Sequence, residues 1–145
     1  MALIYIGCSS CKFANNDDVI NKVINLKSEF IESFSDHDYS LKLIGISNES
    51  DVEAGVEYLQ QFGKFDEISV GNEMSNTALQ KYVWDYYEGL ESGGTPQIII
   101  ERRIKSIIRN DPTIAYSSKF DSTEIITRII GLNPIINFDI VSLEL

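Results

Sequence analysis

Apolar residues fall along this chain in short runs and helical spacings that alternate. Leu3 to Ile6 is a continuous apolar stretch ending at Gly7, the pattern of a buried strand. Val19, Val23, Leu26, Phe30 and Phe34 then recur at spacings of 4, 3, 4 and 4, which predicts a helix. Asn15-Asn16-Asp17-Asp18 interrupts that pattern near its start with capping or turn residues, so the helix is expected to be kinked or split there. Ser35-Asp36-His37-Asp38 is a polar turn, and Leu41 to Ile46 is a second strand. Asp51 caps a second helix carrying Val52, Val56, Leu59 and Phe62 and ending at Gly63. Phe65 to Val70 is a third strand, and Leu79, Val83 and Tyr86 mark a short helix around Trp84.

After the loop Glu91-Ser92-Gly93-Gly94, Thr95-Pro96 opens a fourth strand, Gln97 to Glu101, with three consecutive isoleucines. Ile104 to Ile108 reads as its hairpin partner, although Arg102-Arg103 is a poor tight-turn pair. Asp121 and Glu124 form a capping box ahead of Ile125, Ile126, Ile129 and Ile130, predicting a last helix that stops at Gly131. The tail after Pro134 is apolar enough to dock. The order is β-α-β-α-β-α-β-β-α. Strands separated by helices require parallel crossovers with both sheet faces covered, and the hairpin adds an antiparallel edge. The expected fold class is α/β, a three-layer α/β/α arrangement around a mixed sheet of about five strands. A single domain over residues 1–145, with 133–145 as a C-terminal extension, fits the lack of repeats and of any Pro-rich linker.

Composition narrows the functions open to such a domain. Its 145 residues are 43% hydrophobic and 23% charged, ordinary for a globular chain that buries a real core. The 22 acidic against 12 basic side chains give a net charge of -10, which argues against nucleic acid or an anionic membrane as partner. No apolar run is long enough for a membrane span, and the first residues lack the charged region of a signal peptide. The expected compartment is cytoplasmic by default, or periplasmic if a leader has been trimmed.

Chemistry is concentrated in Cys8-Ser9-Ser10-Cys11, at a strand-to-helix junction. On a first helical turn, two cysteines three apart share a face and can form a disulfide. Cys8 would then sit near the N-cap, where unpaired N–H groups and the helix dipole favour a thiolate, with Cys11 the deeper, more shielded thiol. Plainer readings stand beside this one. A CxxC pair can be half of a zinc site, but the chain has no other cysteine and only His37 to complete it. The two cysteines can also be idle core residues.

Thr95-Pro96 is the second feature. Proline is tolerated at the first position of a strand, and most X-Pro bonds are trans. The functional alternative is a cis bond that turns the Thr95 backbone toward the cysteines. Among the remaining candidates, His37 between Asp36 and Asp38 reads as a polar turn rather than a metal ligand or base. Trp84, Tyr86 and Tyr87 read as core rather than groove. Asp17 and Asp18 read as capping residues, Lys12 as a screened charge beside Cys11, and Arg102, Arg103 and Lys105 as a soluble hairpin tip.

A strand, a CxxC, a helix, then a distant Thr-Pro opening a hairpin and a final helix resembles the thioredoxin-like superfamily from Leu3 to Gly131. The extra strand and helix before Thr95-Pro96 look most like its redoxin branch, which includes periplasmic thiol-disulfide proteins. The resemblance implies a thioredoxin-like fold lacking thioredoxin's N-terminal strand and helix. It implies Cys8 as attacking and Cys11 as resolving cysteine, Pro96 as the cis-proline, and Thr95 as the backbone that pairs with an extended substrate segment. It implies a thiol-disulfide oxidoreductase with a protein substrate or redox partner and no metal, flavin or nucleotide cofactor. The chain departs from the family in having Gly7 where many thioredoxins have Trp, and Ser9-Ser10 between the cysteines. It also lacks any counterpart of the buried carboxylate that assists the resolving cysteine. A redox-silent binding module on the same fold is the alternative. A peroxidase of the redoxin branch fits less well, because no Thr and Arg pattern surrounds Cys8.

Overall fold

A computed structural model describes residues 1–72, 75–84, 94–108 and 117–143, with the side chains of 105–108 and 117–121 left undescribed. Five strands form one mixed sheet: β1 (Ala2–Gly7), β2 (Lys42–Asn48), β3 (Glu67–Gly71), β4 (Gln97–Ile108) and β5 (Ser117–Ile130), in spatial order β3-β2-β1-β4-β5. β1, β2 and β3 run parallel, whereas β4 is antiparallel to β1 and to β5. β1 is therefore central and buried along its whole length, as its unbroken apolar run requires.

Helices α1 (Asp17–Phe34) and α2 (Val52–Gln60) carry the crossovers from β1 to β2 and from β2 to β3. Both crossovers step the same way along the sheet, so right-handed connections put both helices on one face. There Val19, Val23, Leu26, Phe30 and Phe34 of α1, with Tyr58 and Leu59 of α2 and the following Phe62, pack on Leu3, Tyr5, Ile98, Ile100 and Ile129. The same layer receives the C-terminal segment. Ile135 of the short helix α3 (Leu132–Ile136) and Ile140 of a 3₁₀ turn (Ile140–Ser142) are fully buried in it. On the opposite face, a helical turn at Thr77–Leu79 continues as a π-turn through Trp84. It lays Leu79, Tyr82 and Val83 on Ala2, Ile4, Ile6, Ile44, Ile46 and Ile99. Among the described residues no helix is long and apolar enough to cross a membrane.

Three sequence expectations are corrected. The run from Ile104 to Ile108 is not a hairpin partner. It continues the strand begun at Gln97, and the partner is β5. The helix expected from Asp121 to Gly131 is absent, because residues 121–130 belong to β5. Thr123, Ile125, Ile126, Thr127, Ile129 and Ile130 are β-branched, and such side chains lose rotamer freedom in a helix and fit a pleated surface. The helix-like spacing of these isoleucines reflects a bulge. Ile100 pairs with Thr127 and Glu101 with Ile125, so Ile126 is the extra residue. It packs on the α1 side, while Ile125 faces the other. Third, α1 does not start at the cysteines. It begins at Asp17, capped by the Asn16 side chain, and residues 8–15 form turns.

Trp84 is 41% exposed rather than core, and Val52 is exposed as well. Tyr86, Tyr87, Glu91, Ser92 and Gly93 lie outside the described residues. Arg102 and Arg103 lie in mid-strand rather than at a hairpin tip. Arg102 meets Glu124 at 3.4 Å, and Arg103 engages the fully buried Glu101 and, at 3.0 Å, the Tyr82 hydroxyl.

Candidate active site

Sheet register builds the site. β4 runs antiparallel to β1, and Gln97 pairs with Ile6. The residues just before β4 must therefore lie beside those just after β1, which brings Thr95 and Pro96 against Cys8 and its loop. The Thr95–Pro96 peptide bond is cis and Pro96 is buried. The Pro96 carbonyl accepts the Gly131 N–H at 2.9 Å, tying the entry of β4 to the exit of β5. Gly131 has φ +90°, a conformation open mainly to glycine. The place lies beyond the C-terminal end of β1, a recurrent position for sites in open α/β sheets.

Both sulfurs converge on Thr95. Cys8 Sγ lies 3.7 Å from Thr95 Oγ1, and the Cys11 thiol donates to the Thr95 carbonyl at 3.2 Å. The Ser10 hydroxyl reaches Cys8 Sγ at 3.7 Å. Cys8, Cys11, Thr95 and Pro96 are thus assembled in one place, and the cysteines are free thiols.

Their local environments differ from the expectation. Cys8 does not cap α1, so the dipole of that helix is not what it feels. The capping position of α1 belongs to Asn16. The Cys11 carbonyl accepts the N–H groups of Ala14 at 3.0 Å and Asn15 at 3.2 Å, closing a single turn. Burial pushes the Cys11 thiol up, but the Thr95 hydroxyl, the N–H groups of Ala14 and Phe13 and the Cys8 thiol outweigh it and bring Cys11 below the ordinary thiol range. The expected order of shielding is reversed too, since Cys8 is 8% exposed and Cys11 is only half-buried.

Four residues not singled out from the sequence complete the site. The Asn15 side-chain amide donates to the carbonyls of Ser9 at 2.7 Å, Cys11 at 2.8 Å and Cys8 at 3.2 Å, holding the loop in shape. The Glu49 carboxylate, just after β2, accepts the Ser9 N–H. Beneath the loop, the hydroxyls of Tyr5 and Tyr58 share a 2.7 Å hydrogen bond. Burial holds both phenols well above their usual range, and the proximity of the two sulfurs acts in the same direction. That pair also explains Gly7. A Cβ there would stand 2.2 Å from the Tyr58 hydroxyl and 2.6 Å from that of Tyr5, so the space is taken. A glycine closing an otherwise bulky strand was the one legible signal of this. Asn15 was visible only as a turn residue, and Glu49 gave no signal. Ser9, Asn15, Tyr58, Ala54, Glu57 and Gln61 line a groove of about 450 Å³ beside the cysteine loop.

His37 is not part of this assembly. It is exposed after α1, stacked on Tyr39 at 5.6 Å and edge-on to Phe34. Asp17, Asp18 and Lys12 are exposed. Compared with protein-family models, with curated proteins and with solved structures, the chain matches none.

Proposed function

We propose that the chain is a thioredoxin-like thiol-disulfide oxidoreductase that acts on protein thiols or disulfides through Cys8 and Cys11, with no metal, flavin or nucleotide. The observation that carries this reading is the convergence of the two sulfurs on Thr95, at 3.7 Å and 3.2 Å, beyond the C-terminal end of the central strand. Two idle core cysteines have no need of a polar loop held by Asn15 and Glu49 around them.

In the reducing direction, one thiolate of the pair attacks a substrate disulfide, forming a mixed disulfide and expelling the first substrate thiolate. The second cysteine, losing its proton, attacks the protein sulfur of that bond and expels the other. The substrate gains two electrons and two protons and becomes a dithiol, while the protein gives up the same and closes Cys8–Cys11. Thr95 and Pro96 serve as the place where an extended substrate segment lies. The geometry couples the two events. The Cys11 thiol proton occupies the Thr95 carbonyl, so deprotonation or alkylation of Cys11 frees that carbonyl for a substrate N–H.

Equilibration with glutathione buffers, read by intact mass, is expected to show a reversible loss of two hydrogens. Turnover of a model peptide disulfide is expected to vanish in both Cys8→Ser and Cys11→Ser. An absence of any reversible disulfide, or turnover that survives both substitutions, would leave a redox-silent binding module instead.

A further inference from the structure

Resting on that exchange reading, we infer that the redox state of the cysteines gates the docking of a substrate backbone. The reduced chain covers the Thr95 carbonyl with its own Cys11 thiol, and closing the Cys8–Cys11 bond uncovers it. The carbonyls leading into β4 are all engaged. That of Gly94 accepts the Gln97 side-chain amide at 2.6 Å, that of Pro96 accepts the Gly131 N–H at 2.9 Å, and that of Thr95 accepts the Cys11 thiol at 3.2 Å. Gln97 is fully buried and Gly131 follows directly on the Gln97–Ile130 pair of the ladder, so the first two donors are fixed by the fold. The third is a proton that disulfide chemistry removes.

A substrate sulfur bonded to either cysteine must come to rest beside Thr95, because Cys8 Sγ lies 3.7 Å from its hydroxyl and Cys11 Sγ lies 3.2 Å from its carbonyl. The backbone of a cysteine is only two bonds from its sulfur, so the substrate chain then runs within hydrogen-bonding reach of the Thr95 backbone. Thr95 is half-buried rather than sealed in the core. Pro96 has no N–H to offer and its carbonyl is held by Gly131, so a segment lying here finds its acceptor in Thr95. An N–H of that segment competes with the Cys11 thiol on the reduced chain and meets an open acceptor on the oxidised one.

Closing the Cys8–Cys11 bond breaks both S–H bonds. Two electrons and two protons pass to a disulfide oxidant, glutathione disulfide in vitro, whose S–S bond breaks to give two glutathione thiols. The Cys11 sulfur, now bonded to Cys8, has no proton left for Thr95. One hydrogen bond contributes modestly in net terms, so oxidation should tighten backbone docking roughly fivefold. Linkage makes the effect reciprocal: a bound segment favours the disulfide by the same factor and lowers the reduction potential of the pair by about 20 mV.

The probe is the model peptide with both of its cysteines replaced by serine, fluorescently labelled and titrated by anisotropy at a pH about two units below that of an ordinary thiol's pKa. Oxidised wild type should bind it roughly fivefold more tightly than reduced wild type. Cys11→Ala lacks the donor without forming a disulfide, and under reducing conditions it should bind like the oxidised chain. Equal affinity of the reduced and oxidised chains, absence of binding by both included, overturns the gate while leaving the exchange function standing. So does a Cys11→Ala chain that binds as weakly as reduced wild type. A wild type that neither turns over nor closes a disulfide overturns the function itself, and the gate with it.

Discussion

Replacing Gly7 with alanine adds one carbon where two hydroxyls already stand. The added Cβ would lie 2.2 Å from Tyr58 Oη and 2.6 Å from Tyr5 Oη, the former more than an ångström inside the 3.4 Å at which ordinary contact begins. Neither hydroxyl can retreat freely. The Tyr5 ring packs 4.3 Å from Phe62, which also meets Tyr58 at 5.3 Å, and all three side chains are buried. Overpacking of this kind costs about 1–3 kcal/mol. Prising the 2.7 Å hydroxyl pair apart adds about 1 kcal/mol, or more if a hydroxyl is left without a partner. Gly7→Ala is therefore expected to lose about 2–4 kcal/mol of stability. Tyr58→Phe removes the nearer obstacle, losing about 1–2 kcal/mol through the orphaned Tyr5 hydroxyl. In the double variant the alanine no longer meets that oxygen, so its cost should fall below the sum of the singles by about 1 kcal/mol or more. Urea unfolding of the four proteins, followed by far-ultraviolet circular dichroism, closes the cycle. Additivity within about 0.5 kcal/mol, or a Gly7→Ala protein as stable as wild type, would refute the claim that the tyrosine pair excludes a side chain before Cys8.

Other expectations follow from the same structure. Arg103→Ala should cost about 3 kcal/mol in urea unfolding, because it strips the ion partner from a Glu101 with no solvent exposure; adding Glu101→Gln should recover part of that loss. Lys27→Met should cost about 1–3 kcal/mol, since the buried ammonium donates to the carbonyls of Phe62 at 2.8 Å and Lys64 at 2.5 Å and ties α1 to the end of α2. The lowered Cys11 pKa makes the reduced protein's stability depend on pH: burial opposes the thiolate, but its donors prevail. That contribution is complete above the unfolded thiol's pKa and is lost as pH falls through the folded one. Urea midpoints of reduced wild type minus those of Cys11→Ser should thus rise as the pH climbs toward the unfolded thiol's pKa of about 8.5, and a flat or falling difference would contradict it.

The strand-helix alternation and the short apolar runs were readable because β1, β2 and α1 each bury a periodic or continuous apolar set, and such patterns depend little on what the chain meets elsewhere. Pairing Cys8-Ser9-Ser10-Cys11 with a distant Thr95-Pro96 was readable as motif chemistry. The second half of the hairpin was not. Ile125, Ile126, Ile129 and Ile130 satisfy a helical spacing as well as a bulged strand, and only the open edge of β4 chooses between them. Asn15, Glu49, Tyr5 and Tyr58 reach the cysteine loop from separate turns, strands and helices, so no local pattern could join them.

By itself, the order of residues determined that a mixed α/β sheet would form and that its first strand would deliver two thiols at its end. It could not determine which thiol is the more open to solvent. That depends on the loop between β1 and α1, which the tertiary structure sets by starting α1 at Asp17 and folding residues 8–15 over a buried pair of phenols. Asn16, not a cysteine, then caps α1. Capping hydrogen bonds act over only a few ångströms.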